Sequence, residues 1–277
     1  MASPTDSRPL TKEAIQALLQ TNTFGRTLHV LQETASTNGD AMTLAQQGAE
    51  DGTVVVAERQ TAGKGRLGRR WYSPPGDNLY CSVILRRMPT PVELPRWLSV
   101  VPLMAAVAVA RAVQTVTGLK PSLKWPNDIL VGDRKLGGLL CESSLAGPHK
   151  TVVVIGIGLN VNTARENFPE ELREIATSLA SETGRPVDRA SLLASLLSEL
   201  ETYAEALLTQ PLDRLLSGYA RLCSTLGRRV RVHMADGTVV EGLAESLAPD
   251  GSLRIARESA SGKDLLEVRT GDIIHLR

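Results

Sequence analysis

The chain has 277 residues, of which 42% are hydrophobic and 22% are charged, an ordinary globular composition that excludes disorder throughout. Its 31 basic and 30 acidic residues give a net charge of +1, so no overall field would draw it onto nucleic acid or an acidic membrane. Aromatic residues make up only 3%, which argues against a surface that stacks many bases, and the length predicts one large domain with a small one, or two of moderate size.

Cysteine usage and the apolar runs predict an intracellular protein. Cys81, Cys141 and Cys223 are an odd number and each lies within an apolar run, which is typical of buried reduced thiols. The sequence has no C-x-x-C pair, so a zinc site is not expected. Residues 1–26 contain no apolar core of signal-peptide length, and the longest apolar run, residues 98–110, is too short to cross a bilayer. We therefore expect a soluble cytoplasmic protein with no membrane partner.

The first two-thirds of the chain mixes predicted strands with predicted helices. A leader, residues 1–26, carries a short helix over residues 11–19 with Thr11 as its N-cap. Strands are predicted over residues 27–31, 53–58, 78–86, 122–125, 139–143 and 151–157. Helices are predicted from residue 36 or 37 to about 47 and over residues 94–117, where Pro102 predicts a later start or a kink. This mixture favours an α+β fold in which helices pack on a mixed β-sheet, with a catalytic domain over residues 27–226.

The pattern changes towards the C-terminus. The most regular helix begins after Asp188, its predicted N-cap, because leucines recur on one face for about five turns, and Pro211 restarts a helix to about residue 226. Five short strands are then predicted, over residues 230–234, 239–244, 253–256, 265–268 and 273–276. Tight-turn dipeptides separate them, so we predict a small antiparallel β-barrel over residues 227–277.

A glycine-rich loop, residues 63–68, matches the dinucleotide pattern G-x-G-x-x-G, but the prolines at 74 and 75 prevent the helix that this fingerprint requires. A Walker-type loop also fails, because no G-K-[ST] follows at the required spacing. Four cations remain within seven residues: Lys64, Arg66, Arg69 and Arg70. Glycines let the backbone approach a ligand and guanidinium groups match phosphate oxygens, so the loop is interpreted as a phosphate clamp that is mobile without ligand. The alternative is a solvated basic surface loop.

Three further clusters carry chemistry-bearing residues. Asn127 and Asp128 follow Pro126, and such a pair either holds Mg²⁺ with a phosphate or caps a turn. Lys135 precedes two glycines that leave room for a ligand beside it, although a lone lysine after a turn is commonly solvated. Residues 155–160 follow the strongest strand but lack the third glycine of a Rossmann motif, and residues 33–38 offer either polar ligands or an N-cap.

Taken in order, these four clusters resemble the catalytic domain of biotin–protein ligases. The matching residues are Ser36-Thr37-Asn38, Gln60 with residues 63–68 and Trp71, residues 124–128 with 135–138, and residues 156–160. The resemblance covers residues 28–277 and implies a class II synthetase-like catalytic domain followed by an SH3-like barrel. It implies the monofunctional form, because the leader is too short and too charge-balanced for a helix-turn-helix module with a basic arm, so no DNA partner is expected.

The resemblance also implies an activity. ATP would activate biotin to biotinyl-5′-AMP, and a lysine of a biotin carboxyl carrier protein domain would then accept the biotin, with Mg²⁺ as cofactor and a homodimer left open. The implied catalytic residues are Lys135 and Arg66. The implied biotin-binding residues are Ser36, Thr37, Asn38, Gln60, Lys64, Gly65, Arg66, Lys135, Gly138 and Gly156. The implied ATP-binding residues are Arg66, Arg69, Trp71, Asn127 and Asn160, with Asp128 for the metal.

One departure and two alternatives accompany this interpretation. Lys64 stands where the family usually has arginine, and a lysine cannot make the bidentate fork, so a weaker grip on the adenylate is expected. A lipoate–protein ligase or octanoyltransferase would share the acyl-to-lysine logic. A nucleic-acid-binding protein without catalysis would use the basic loop and the small barrel instead, and its affinity would fall steeply with salt.

Overall fold

The computed structural model describes residues 8–145, 151–234, 236–259 and 262–276. The helices are α1 Lys12–Gln16, α2 Thr37–Gln46, α3 Leu94–Thr117, α4 Leu179–Thr183, α5 Arg189–Thr209 and α6 Leu212–Ala220. The strands of the first sheet are β1 Leu28–Leu31, β2 Val54–Ala57, β3 Leu79–Leu85, β4 Ser122–Lys124, β5 Asp128–Val131, β6 Arg134–Leu145 and β7 Thr151–Leu159. Those of the second sheet are β8 Arg229–His233, β9 Val239–Leu247, β10 Leu253–Ser259, β11 Gly262–Val268 and β12 Asp272–His275.

The first sheet is mixed, as predicted. Its seven strands lie in the order β1-β2-β3-β7-β6-β5-β4, and β1 pairs with β2 in parallel while the remaining pairings are antiparallel. The predicted boundaries were wrong between residues 126 and 139, where β5 was missed and β6 begins five residues earlier. Val131 pairs with Arg134 across a two-residue turn in which Gly132 has a φ of +60°. Such a turn makes a tight hairpin from residues that the sequence presents as a loop.

Helix α3 forms the centre of the core. Thirteen of its residues are buried, it packs against α5, and Gly118 ends it in the left-handed conformation with a φ of +77°. The helix spans Leu94–Thr117, as predicted, and continues through Pro102, so of the two alternatives raised by this proline the later start was wrong. Its length and mean hydropathy of 1.6 are those of a membrane-spanning helix, but 67% of its most apolar window is buried by the rest of the protein. A core helix that is buried by the rest of its protein can have the same length and hydropathy, so packing in the core explains the apolar composition of α3.

The second sheet contains the five predicted strands, in the order β11-β10-β9-β8-β12, all antiparallel. Burial alternates along β9, so one face of this sheet meets the core. The pairings do not join β11 to β12 among the described residues, and closure into a barrel stays a prediction. Helix α6 ends at Ala220 rather than near 226, because Ser224 N donates to Leu123 O and the chain there runs beside β4.

The leader, from residue 8 onward, packs into the core. Thr11 caps α1 as predicted, although the helix ends at Gln16. Leu10 N donates to Glu58 Oε1 at 2.6 Å, and Arg189 Nη1 donates to Glu58 Oε2 at 2.7 Å. The Arg189 and Glu58 side chains are only 2% and 8% exposed. This buried ion pair therefore joins the leader, the end of β2 and the start of α5, while the predicted domain boundaries stay predictions.

The cysteines are all free thiols, as expected, but only Cys81 and Cys223 are fully buried residues. Cys141 is partly exposed as a residue, although burial of its thiol raises its pKa to about 12. Burial likewise raises the pKa of Cys81 to about 12. Since the thiolate is the reactive form, these groups are chemically quiet at neutral pH. Within the described residues no three His, Cys, Asp or Glu side chains cluster as a metal site would.

Candidate active site

A cavity of about 870 Å³ opens beside the first sheet, between the glycine-rich loop and the start of β12. Every residue predicted for the site lines it: Ser36, Thr37, Asn38, Gln60, Lys64, Gly65, Arg66, Arg69, Trp71, Asn127, Asp128, Lys135, Gly138, Gly156 and Asn160. The four sequence clusters therefore meet in one place. The hydrogen bonds and ion pairs of each lining residue indicate what its side chain can do there.

A polar floor lies at one end of the cavity. Gln60 Oε1 accepts from Thr37 N at 2.9 Å and lies 3.1 Å from Thr37 Oγ1. Ser82 Oγ lies 2.8 Å from Thr37 Oγ1 and 2.6 Å from Asn38 Oδ1. The two hydroxyl groups have two protons for these three oxygen–oxygen contacts, so one contact lacks a proton. The floor has surplus acceptor capacity, which suits a ligand that brings N–H donors.

Asn38 supports this floor from below. Its Nδ2 donates to Leu140 O at 3.1 Å and to Glu142 Oε2 at 2.7 Å, while its Oδ1 accepts from Ser82. Because both ends of the amide are engaged within the protein, Asn38 positions its neighbours where it lines the cavity. Sequence reasoning missed Ser82 and Glu142, and the one available signal was a serine within the otherwise apolar strand β3.

Glycines on β6 and β7 allow close approach at three points. A Cβ on Gly156 would collide with the Asn38 amide, and one on Gly158 would lie 2.6 Å from the Trp71 indole. A Cβ on Gly137 would lie 2.7 Å from Gly158 O, so Gly137 allows the neighbouring strands to pack closely. The prediction that Gly137 leaves room for a ligand was wrong. Gly138 does leave space beside Lys135, whose Cε would be 3.3 Å from an added Cβ.

The glycine-rich loop folds back on itself. Gly65 N donates to Arg69 O at 2.7 Å, Trp71 N donates to Gly63 O at 2.9 Å, and a single 3₁₀ turn separates them. Leu67 has a φ of +55°, which an L-residue adopts only under constraint. No helix follows the loop, which agrees with the rejection of a Rossmann fingerprint.

The loop arginines reach across the cavity to the second sheet. Arg66 donates to Asn127 Oδ1 at 3.0 Å and to Thr270 Oγ1 at 2.5 Å. Arg69 forms an ion pair with Asp272 at 2.5 Å, and this hydrogen bond and charge raise the pKa of Arg69. Burial lowers the pKa of Arg66, although the carboxylates near it oppose this. These contacts argue against a simply solvated loop, and sequence reasoning missed both second-sheet partners.

Lys135 and Asp128 form the charged centre of the cavity. Lys135 Nζ lies 2.6 Å from Asp128 Oδ1 and 5.4 Å from the centre of the Trp71 ring. The lysine is thus held in place rather than freely solvated, and it faces both the loop and the floor. Asn127 Nδ2 donates to Leu139 O and its Oδ1 accepts from Arg66, so both ends of this amide are held by protein partners.

These features define a class of protein. The 870 Å³ cavity beside the mixed sheet joins an acceptor-rich pocket to fixed cations, as an enzyme that brings a small polar molecule to a polyphosphate requires. Residues 30–160 match the family model of the biotin/lipoate A/B protein ligase family. The chain is 37% identical to the biotin–[acetyl-CoA-carboxylase] ligase of Mycobacterium tuberculosis, over 99% of this chain and 97% of that protein.

A second curated protein and a solved structure are similar to this chain over most of its length. The bifunctional ligase/repressor BirA of Bacillus spizizenii is 34% identical over 92% of this chain and 77% of that protein. The biotin protein ligase of Aquifex aeolicus, solved in complex with biotin and ATP, superimposes with a TM-score of 0.75 at 28% identity, covering 91% of this chain and all of that one. The chain belongs to the biotin/lipoate A/B protein ligase family, and its α+β fold is confirmed.

Proposed function

We propose that this protein is a biotin–protein ligase, which uses ATP to make biotinyl-5′-AMP and transfers biotin to a lysine of a carrier protein domain. One observation carries the proposal: a single cavity places an acceptor-rich floor beside the Lys135–Asp128 pair and Arg66. The relatives named as biotin ligases support it, at up to 37% identity over nearly the whole chain.

The floor suits the ureido ring of biotin. That ring has two N–H donors and one carbonyl acceptor, and its donors would find oxygen acceptors in Gln60 and Thr37, which line the cavity. A lipoyl group offers a dithiolane ring with no N–H donors, so it would leave those acceptors unused. The floor therefore favours biotin over lipoate, while the carboxylate at the other end of biotin would point towards Lys135.

In the first step a carboxylate oxygen attacks the α-phosphorus, a P–O bond forms, and the bond to the departing pyrophosphate breaks. Both reactants are anions, so fixed cations are needed to bring them together and to stabilise the charge that accumulates at phosphorus. Lys135 would contact both the carboxylate and the α-phosphate, and Arg66 and Arg69 would hold phosphate oxygens. The reaction requires no protein nucleophile.

Trp71 and Asn160 would bind the adenosine half. The indole lies against Gly158, and Lys135 Nζ lies 5.4 Å from the centre of its ring. Asn160 lines the cavity, is 5% exposed, and is held by the hydrogen bond from its Nδ2 to Thr177 O. An aromatic face and an amide oxygen are suited to the face and the amino edge of adenine.

Magnesium would arrive with the nucleotide. Asp128 supplies a carboxylate at the charged centre, and one oxygen of it is already paired with Lys135. Mg²⁺ in nucleotide sites commonly takes one or two carboxylates together with substrate phosphates, so this donor set fits a metal held mainly by ATP. When bound, it would neutralise phosphate charge, and Asp128 would orient it.

The acceptor is proposed to be a biotin carboxyl carrier domain, as the names of the carboxylase-specific relatives suggest. A homodimer and a cytoplasmic location stay predictions.

Biotin-dependent exchange of labelled pyrophosphate into ATP, followed by a mass increase on the acceptor lysine, tests the proposal. Exchange with lipoate but not with biotin would support the lipoate ligase instead. Salt-sensitive nucleic-acid binding without exchange would support the non-catalytic alternative.

Gly158→Ala is expected to weaken ATP binding while leaving biotin binding unchanged. The new methyl group would press on the Trp71 indole, and overpacking of this kind costs about 1–3 kcal/mol, which is roughly a 5- to 150-fold rise in the KM for ATP. Steady-state pyrophosphate exchange at varied ATP and at varied biotin measures both constants. An equal rise in both would contradict the placement of adenine on Trp71.

Arg66→Gly is expected to release biotinyl-5′-AMP at least about tenfold faster, because a hydrogen bond to a charged group contributes about 1.5–3 kcal/mol. Release of labelled adenylate from a preformed complex, followed by filtration, gives the rate. Arg59→Ala is the matched control, since Arg59 pairs with Glu33 outside the cavity. Unchanged retention in Arg66→Gly would remove this arginine from the adenylate site.

A further inference from the structure

A second, smaller cavity of about 190 Å³ lies behind the main one. Its walls come from α3, from the segment at residues 125–127, from β6 and from the turn at residues 250–252. None of the four sequence clusters predicts it, and the first reaction step does not use it. Biotin and ATP are proposed to bind in the main cavity, so this space needs a separate explanation.

The two cavities share part of their walls. The residues that line both are Arg66, Trp125, Pro126, Asn127, Leu139 and Leu140. Arg66 and Asn127 are the polar members of this shared wall, and Arg66 Nη1 donates to Asn127 Oδ1 at 3.0 Å. Asp128 is the next residue along the chain and is paired with Lys135. The inner end of the small cavity therefore lies next to the charged centre at which the adenylate would form.

The walls and the outer end differ in chemistry. Pro102, Leu103, Leu140 and other apolar groups form the walls, while Ser99 lies exposed at the outer end. Asp250 also lines the cavity, with its side chain 25% exposed. Burial raises its pKa, but hydrogen bonds from Ser252 and the charge of Arg269 outweigh this and lower the pKa of Asp250. The cavity thus has a largely apolar lining, the Asp250–Arg269 ion pair near the exposed Ser99, and the Arg66 guanidinium at its inner end.

We propose that this cavity admits the side chain of the acceptor lysine, an inference that rests on the proposed ligase function. A lysine side chain has five heavy atoms, and at roughly 30 Å³ for each water-sized group it needs about 150 Å³. Its methylene groups match the apolar walls. The carboxylate of Asp250 would exchange its 3.5 Å contact with the exposed Arg269 for the ammonium group as that group enters. The cation of Arg66 at the inner end disfavours the ammonium form and so favours the neutral amine at the point of attack.

In the transfer step the lysine amine replaces AMP on the carbonyl carbon of the biotinyl group. The ammonium group loses one proton to solvent at the open end, and the neutral nitrogen attacks the carbonyl carbon of the mixed anhydride. A C–N bond forms, the bond between that carbon and the phosphate oxygen breaks, and AMP leaves with the electron pair. The second proton leaves the nitrogen for the departing phosphate or for water, so no other reactant is needed.

Ser99→Trp tests the proposal by filling the opening. Ser99 is exposed and its Oγ donates only to Pro95 O in its own helix, so the fold should be retained. Preformed biotinyl-adenylate complex is mixed with a purified carboxyl carrier domain, with a lysine whose α-amine and carboxyl are blocked, or with hydroxylamine. We expect transfer to both lysines to slow at least tenfold, with hydroxylamine reaction and pyrophosphate exchange unchanged within twofold.

A matched control and a second variant complete the experiment. Gln114→Trp places the same side chain at an exposed position farther along α3 and should leave all four rates unchanged. Cys141→Phe narrows the cavity from β6 and should repeat the Ser99→Trp pattern. Unchanged lysine transfer in both variants, slowing with the carrier domain alone, or equal slowing of hydroxylamine would each overturn the proposal. Absence of pyrophosphate exchange in the unmodified protein would instead reject the ligase function.

Discussion

Lys135→Ala is expected to slow formation of biotinyl-5′-AMP about 100- to 1,000-fold, as the loss of one preorganised group at a developing charge does in other enzymes. The substitution removes the cation that would meet both anionic reactants. It also leaves the carboxylate of Asp128, 2.6 Å from the lysine nitrogen, without its partner. An unpaired negative charge would then repel the phosphates, which adds to the loss. Biotin-dependent pyrophosphate exchange measures the effect.

The appropriate control is Lys120→Ala, because Lys120 is exposed and lies outside the cavity. It should leave the exchange rate and the midpoint of urea unfolding unchanged. Lys135→Arg is informative as well, since the charge is kept but the compact ammonium is replaced by a planar fork. We expect it to recover only part of the rate. Full activity in Lys135→Ala would remove this lysine from the chemistry.

Arg189→Leu is expected to lower the free energy of unfolding by about 3–5 kcal/mol, the usual cost of removing one partner of a buried ion pair. Glu58 would remain 8% exposed as a buried carboxylate without its cation. The substitution also removes the donors to Asn78 O and Arg8 O, so several elements lose a shared partner. Urea unfolding monitored by far-ultraviolet circular dichroism gives the difference.

A double replacement separates charge from packing in that result. Glu58→Gln combined with Arg189→Met removes both charges, and it should regain most of the stability that the single change loses. The exposed pair Arg59–Glu33 is the comparison, because its side chains are 51% and 53% exposed and such pairs contribute about 0–1 kcal/mol. If Arg189→Leu costs no more than Arg59→Leu, the buried pair does not stabilise the fold.

The sequence predicted features that depend on neighbours in the chain. Asp188 caps α5 because its carboxylate accepts from Ser191 N, three residues on, and Gly118 ends α3 because only glycine adopts its φ without strain. The order of four motifs then identified the residues that line the cavity. Each motif alone left a structural alternative open, and their combination decided between them.

The missed features depend on contacts between distant residues. Thr270 and Asp272 lie about two hundred positions from the arginines that they bind, and no local pattern connects them. Ser82 and Glu142 hold Asn38 only because β3, β6 and β7 lie side by side in the sheet. The hairpin at Gly132 was missed because its residues are as typical of a flexible loop as of a tight turn. Register and sheet order are needed to find such partners.

The pairing of Arg69 with Asp272 has a consequence for how tightly the protein holds its nucleotide. This guanidinium already has an anion of its own, the carboxylate of Asp272. A phosphate group that binds Arg69 must therefore displace the carboxylate of Asp272. The observed affinity for the phosphate is then the difference between the Arg69–phosphate and the Arg69–Asp272 interaction free energies. Weakening the resident partner, as Asp272→Asn does, would then tighten nucleotide binding wherever the arginine stays in position without it.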